Sequence, residues 1–445
     1  MKSTPLTRLV LPIYLPAVIY SIGTGAIFPV LALAALDVGF DDAGSSAVVG
    51  VFGAIGIVAS PFLGRLISRI GDKTALATGT VVSIVSVTGS LISLAWGANV
   101  WSRVIYVVSL VLLAIGANIW SLARQAYIAE TIPLAYRARG LSTLGGMVRL
   151  GNLIGPLVST ALLAIWALGS VFVLNIFTAL LAMGLVIKYV VPNPTMDLGD
   201  SSEALAASQA QPEPLPEILD DERPTPTFAI FVIGVGLNAL NILRANRSVI
   251  VPLWGTYLGF DPEFITATFA VTALFDTLMF IVSGSLMDKR GRMWALGPSL
   301  VVMPIGIVVM ILWTTPVGFV VGAGLLGLGN GFGAGIVMTT GADLSPARKK
   351  ANFLGIWQSI MAIGTAVGPF VVSGLTKVWD LEAGLWATVG IGVAGFVWMA
   401  LLIRPAYASL GLDLRGRPLE VSPGDDAAAP AATEPEARTG NAFSN

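Results

Sequence analysis

Apolar residues run along this chain in blocks of about 20, near 9–36, 45–67, 74–96, 100–123, 141–166, 169–191, 227–255, 263–286, 294–314, 317–340, 351–375 and 384–404. A helix of that length crosses a hydrocarbon core of roughly 30 Å, so the pattern predicts twelve membrane-spanning helices and an all-α integral membrane fold. A polar interval at 192–226, rich in Pro, Glu, Asp, Ala and Ser, divides them six and six. It holds too few apolar residues to build a core and is expected to be a flexible linker between bundles at 1–191 and 227–404. The tail from 405 to 445, with its Ala/Pro/Glu stretch, is expected to be disordered. Lys2 and Arg8 precede the first block as in a secretory signal. That block exceeds a signal core of about 7 to 15 residues, so it is expected to persist as a helix.

The two halves repeat each other. Gly151-Asn152-Leu153-Ile154-Gly155-Pro156 and Gly364-Thr365-Ala366-Val367-Gly368-Pro369 both read G-x-x-x-G-P, 213 positions apart. At the same offset Glu130-Thr131-Ile132-Pro133 matches Asp343-Leu344-Ser345-Pro346, and the basic clusters Arg137/Arg139 and Arg348/Lys349/Lys350 follow. Duplicated membrane halves belong above all to secondary transporters, whose halves rock about a site between them. Glycines let helices approach closely, while the proline removes a backbone hydrogen bond and bends the helix. The alternating run Gly327, Gly329, Gly331, Gly333 and Gly335 is read as packing, because no strand precedes it and no Gly-Lys-Ser/Thr follows.

Composition narrows the chemistry. Of 445 residues 55% are hydrophobic and 11% charged, against roughly 25% charged in an average soluble domain. The absence of cysteine and histidine removes thiolate sites and the commonest metal ligand, so neither metal nor cofactor is expected. A net charge of −1 gives no basis for a nucleic-acid partner. With the N-terminus in the cytoplasm, nearly all basic residues outside the spans fall on that side, while Asp37, Asp41, Asp42, Asp261 and Glu263 fall on the other. The positive-inside rule then puts both termini in the cytoplasm.

Five charges lie inside spans: Arg124 in span four, Arg149 in span five, Arg244 and Arg247 in span seven, and Asp276 in span eight. At roughly 2.5 to 3.5 kcal/mol per central charge, exposing all five to lipid would cost over about 10 kcal/mol, so they must face a wet cavity or one another. Asn241, Arg244 and Ser248 share a face at helical spacing, as do Thr272, Asp276 and Ser283. Counting helical rise inward from the loop around 258–263 puts Arg244 and Asp276 at similar depth, so they are expected to pair. Asp276 is the candidate for proton coupling, since low dielectric favours a neutral carboxyl and a nearby arginine an ionised one; a permanent structural bridge is the alternative. The surplus arginines, with Asn241 and Asn152, are expected to line a cavity for an anionic or strongly polar substrate. Tyr14, Tyr20, Trp120, Trp254, Phe332 and Trp357 are read as packing or interfacial residues.

Over 1–404 these residues resemble the major facilitator superfamily, and within it the twelve-span drug:proton antiporters. The family's loop motif, G-x-x-x-D-R-x-G-R-K in outline, is met by Gly64, Arg69, Gly71 and Asp72, with Ser68 where the family has Asp. A second copy has Gly284, Asp288, Arg290, Gly291 and Arg292, so the gate charges that the resemblance implies are expected to be stronger in the C-terminal half. Gly151, Gly155 and Pro156 match the family's antiporter motif, echoed by Gly364, Gly368 and Pro369. Drug exporters of this family often carry an arginine one turn before a span-four glycine; here that position, ahead of Gly116, is Leu112. The implied function is proton-coupled efflux of a small organic compound by alternating access, in a monomer of the bacterial inner membrane. Symport or uniport of an anionic metabolite is the alternative. A receptor or enzyme is disfavoured, because no Ser/His, Cys/His or paired-carboxylate constellation is present.

Overall fold

The computed structural model describes residues 7–131, 134–191, 227–345 and 350–417, and each apolar block of the sequence is a membrane-length helix in it. In chain order these are α1 (Val10–Asp37), α2 (Asp42–Ile70), α3 (Asp72–Ala95), α4 (Val100–Thr131), α5 (Leu134–Leu163), α6 (Gly169–Tyr189), α7 (Thr227–Tyr257), α8 (Pro262–Arg290), α9 (Met293–Leu312), α10 (Pro316–Leu344), α11 (Lys350–Val378) and α12 (Leu381–Ala408). The linker at 192–226 and the tail from 418 lie outside the described residues. So do Pro133, Pro346, Arg348 and Lys349, and the side chains of Arg137, Arg139 and Lys350.

One end of the bundle carries the acids. There Asp41, Thr315 and Asp380 cap α2, α10 and α12 by accepting from Gly44 N (2.8 Å), Gly318 N (3.3 Å) and Ala383 N (2.8 Å), satisfying amides that a helix start leaves open. The opposite, basic end holds the two loop motifs. Gly71 (φ 80°) and Gly291 (φ 99°) turn the chain from α2 into α3 and from α8 into α9, in a backbone region that suits glycine.

The G-x-x-x-G-P repeats make equivalent helix contacts. A Cβ on Gly151 would stand 2.5 Å from Ser21 Cβ, and one on Gly155 would stand 2.5 Å from the Ala26 amide nitrogen, both on α1. On α11, a Cβ on Gly364 would stand 2.6 Å from Asn238 O and one on Gly368 would stand 2.6 Å from Asn246 Oδ1, both on α7. Gly155→Leu is therefore expected to destabilise the fold beyond the usual overpacking cost of about 1–3 kcal/mol, because backbone must move. Gly184→Leu, with open space beside its Cα, is the comparison in a detergent thermal melt.

The tail expected to be disordered from 405 is ordered as far as residue 417. Helix α12 continues to Ala408, and the turn after it returns to the α8–α9 loop, where Arg292 N donates to Leu414 O (2.7 Å). The Arg292 side chain binds both oxygens of Asp343 (2.9 and 3.1 Å), and Tyr407 Oη donates to Asp343 (2.9 Å). Burial works against the Arg292 charge, yet the bonds and field of Asp343 outweigh it and hold the guanidinium above its ordinary range. Arg292→Met strands a nearly buried carboxylate and is expected to cost about 3–5 kcal/mol, read as lost cooperative melting.

Candidate functional site

The two halves meet at the acidic end through α2 with α11 and α5 with α8. A Cβ on Gly50 would stand 3.2 Å from Pro369 Cβ, and one on Gly53 would stand 3.1 Å from Thr365 O. Thr160 Oγ1, which donates to Pro156 O (2.8 Å), also bonds Thr266 Oγ1 across the halves (3.1 Å). Both prolines of the repeated motif thus lie at or one turn from the seam between halves.

Below that seam lies a cavity in two compartments. The larger, about 970 Å³, reaches the basic end, where Leu141, Leu144 and Gly145 face Val337, Met338 and Gln358. The smaller, about 320 Å³, sits toward the acidic end among Tyr20, Phe28, Phe52, Leu113 and Phe269. The intramembrane charges converge here. Arg124, Arg149, Asn152, Asn241, Arg244 and Asp276 border the larger compartment, while Arg247 joins Arg124, Asn152 and Asp276 around the smaller one.

The expected Arg244–Asp276 pair does not form. Asp276 Oδ1 instead accepts from Arg149 Nη1 at 3.0 Å, so the bridge joins α5 of one half to α8 of the other. The Arg149 guanidinium also lies over Phe280, 4.3 Å from the ring centroid. Arg244 is held within its own half: Nε donates to Asn330 Oδ1 (2.9 Å), Nη2 to Gly333 O (2.7 Å) and Nη1 to Asn241 Oδ1 (3.4 Å). The Gly333 carbonyl is available because α10 breaks between Phe332 and Ile336, with Gly335 at φ 80°. Sequence reasoning missed Asn330, Gly333 and Phe280; the glycine run signalled the break but was read as packing alone. Packing is also present, since a Cβ on Gly331 would stand 2.6 Å from Asp276 O.

Arg124 and Arg247 contrast with that pair and with Arg244. Their Nε and Nη1 atoms are buried and have no hydrogen-bond partner among the described residues. Ser283 does not share the cavity face with Asp276; it bonds Phe332 O and Ala334 O of α10. Of the aromatics, Trp120, Trp254 and Trp357 are buried, with indole N–H groups on Thr80 Oγ1, Met310 O and Val337 O. Tyr20 stacks on Trp120 with centroids 4.3 Å apart and reaches the smaller compartment.

At the loop motifs, Gly64, Arg69, Gly284, Asp288 and Arg290 are exposed, and Arg290 lies over Trp294. Asp72 is half-buried. The buried charge contact of the C-terminal copy runs through Arg292 and Asp343 and leaves Asp288 at the surface.

The sequence profile described as Major Facilitator Superfamily matches residues 13–245 and 239–433. The MFS-type transporter TwmF of Talaromyces wortmannii is 25% identical over 213 residues, which cover 46% of this chain and 37% of that protein. The uncharacterized MFS-type transporter Rv1877 of Mycobacterium tuberculosis is 26% identical over 183 residues, covering 41% of this chain and 26% of that one. The matched stretches thus span about a third and a quarter of those relatives' lengths. Among solved structures, a D-xylose-proton symporter superposes with a TM-score of 0.68 at 18% identity, covering 93% of this chain and 99% of that one. A POT family transporter in complex with a thioalcohol conjugated peptide gives 0.69 at 14% identity, covering 89% and 95%. At such identities the likeness is one of fold.

Proposed function

The chain belongs to the major facilitator superfamily, and from that membership we propose that it is a proton-coupled secondary transporter exporting a small organic compound, anionic or strongly polar, by alternating access. The observation that carries this reading is the Arg149–Asp276 bridge, which links the two halves in the wall of the central cavity. A carboxylate at that place has two competing partners, a proton and the arginine. Protonation cancels its charge and releases Arg149, loosening α5 from α8; deprotonation restores the link. A substrate that competes for Arg149 biases the same switch, which is the differential interaction that coupling requires. Pro156 and Pro369, inside α5 and α11, lie at or near the acidic-end seam, and a helix bend at proline suits the place where rocking would open the other side.

Under the positive-inside rule the basic end, with Arg65, Arg69, Lys73, Lys289 and Arg290, faces the cytoplasm. The cavity then opens inward, and both termini are cytoplasmic in the plasma membrane of a bacterial cell. A single chain supplies both halves and every residue named on the cavity wall, so a monomer suffices. Neither a phosphate-binding glycine loop nor a nucleophile–base constellation is present in the sequence, and the chain is read as neither ATP-driven nor enzymatic.

The test uses inverted membrane vesicles with an energised pH gradient, to which anionic and cationic organic compounds are added in turn. Gradient collapse that depends on the compound and on this protein is the expected result. Gradient collapse with none of the compounds, together with compound uptake in the opposite direction, would replace export by symport or uniport.

A further inference from the structure

We propose that the smaller compartment is a two-point anion site, in which Arg124 on α4 and Arg247 on α7 each take one acidic group of an organic dianion with an apolar middle. The cavity walls carry four arginines, Arg124, Arg149, Arg244 and Arg247, against one carboxylate, Asp276, among the described residues. Asp276 is engaged by Arg149 at 3.0 Å, and Arg244 is bonded by Asn330, Gly333 and Asn241. That leaves Arg124 and Arg247 with buried Nε and Nη1 donors that have no hydrogen-bond partner among the described residues. A guanidinium is always charged and presents planar donors matched to carboxylate or phosphate oxygens. Buried donors of this kind are ordinarily satisfied, so their natural complement is an anion brought from outside.

The two guanidiniums stand on opposite halves of the molecule and border the same compartment. Two acidic groups, one for each guanidinium, would satisfy both charges at once. Tyr20, Phe28, Phe52, Leu113 and Phe269 supply apolar wall in the same compartment, which suits a hydrocarbon segment. Ser21, Thr24, Asn152, Thr272 and Asp276 are further polar groups of the same compartment, and the Asp276 carboxylate is already engaged by Arg149. A dianion held in this way ties α4 to α7, so its occupancy bears directly on whether the halves can move apart. This deepens the transport reading above and rests on it for the purpose of the site, while the binding chemistry stands on the unpartnered arginines.

The experiment is titration calorimetry on the full chain in lipid nanodiscs, with saturated α,ω-dicarboxylates of graded length and the monomethyl ester of each. The best-fitting diacid is expected to bind about tenfold or more tighter than its monoester, the scale of one charge-assisted contact. Arg124→Gln and Arg247→Gln are each expected to erase that preference while leaving monoester affinity nearly unchanged. Arg124→Lys and Arg247→Lys keep the charge and are expected to retain part of it. Should the Gln variants fail to fold, the wild-type comparison of diacid with monoester still decides. Equal binding of the two across the series, or a preference that survives in both Gln variants, overturns the proposal. Diacid-selective binding without transport in proteoliposomes would sink the transport reading and leave the anion site standing; transport with no preference for diacids would do the reverse.

Discussion

Asp276→Asn is expected to abolish proton movement through this protein while leaving the exchange of substrate across a symmetric membrane intact. The substitution changes size little and puts a permanently neutral group where the carboxylate now stands 3.0 Å from Arg149. What it removes is the ability to alternate between a charged and a neutral partner. Compound-dependent collapse of a pH gradient should fall by a factor on the order of 100, the scale set by losing a positioned proton-transfer group. Asp261→Asn, in the exposed loop ahead of α8, should leave coupling unchanged. The result against the reading is full coupling in Asp276→Asn with a lowered melting temperature: the bridge would then be architectural, and its loss would register as an arginine left unpaired.

The parts of this account that the sequence carried, and those it did not, differ for a physical reason. Helix positions follow from apolar length alone, which is why every apolar block is a helix and most ends match within about four residues, α4 and α5 running further at the basic end. The overruns at the basic end, as in α2 and α8, are turns whose polar residues leave the apolar core. Helical rise also put Arg244 and Asp276 near one another, and both border the larger compartment. Partner choice was not legible, because it depends on how helices are rotated against one another across the two halves. Arg244 and Asp276 were therefore judged by depth within one half, whereas the carboxylate turns toward Arg149 of the other. Arg244 found its partners in a carbonyl freed where α10 breaks, an acceptor that no side-chain pattern displays. The ordered turn at 409–417 was missed similarly, as it is held by the backbone of Arg292 and composition marks only its polarity.

If the halves rock, fastening them at the acidic end must stop transport, and the chain lends itself to that test because it contains no cysteine. A Cβ built on Gly53 of α2 stands 3.1 Å from Thr365 O and 3.6 Å from Ala366 Cα of α11, so the two helices approach closely enough there to attempt a disulfide, whose Cβ atoms lie about 3.8 Å apart. Gly53→Cys combined with Ala366→Cys should cross-link on mild oxidation, and transport should fall on the order of tenfold or more and return on reduction, since a 2.05 Å sulfur–sulfur bond leaves the seam no room to part. Each single variant should transport alike with or without oxidant, which separates the cross-link from the local crowding at Gly53. A third thiol, Gly145→Cys in the larger compartment, should stay open to a membrane-impermeant maleimide in the locked protein, because locking the acidic end holds the basic end open. A cross-linked protein that still transports at its full rate would mean that these contacts do not gate the cavity, and the assignment of α2, α5, α8 and α11 as the moving seam would have to be abandoned.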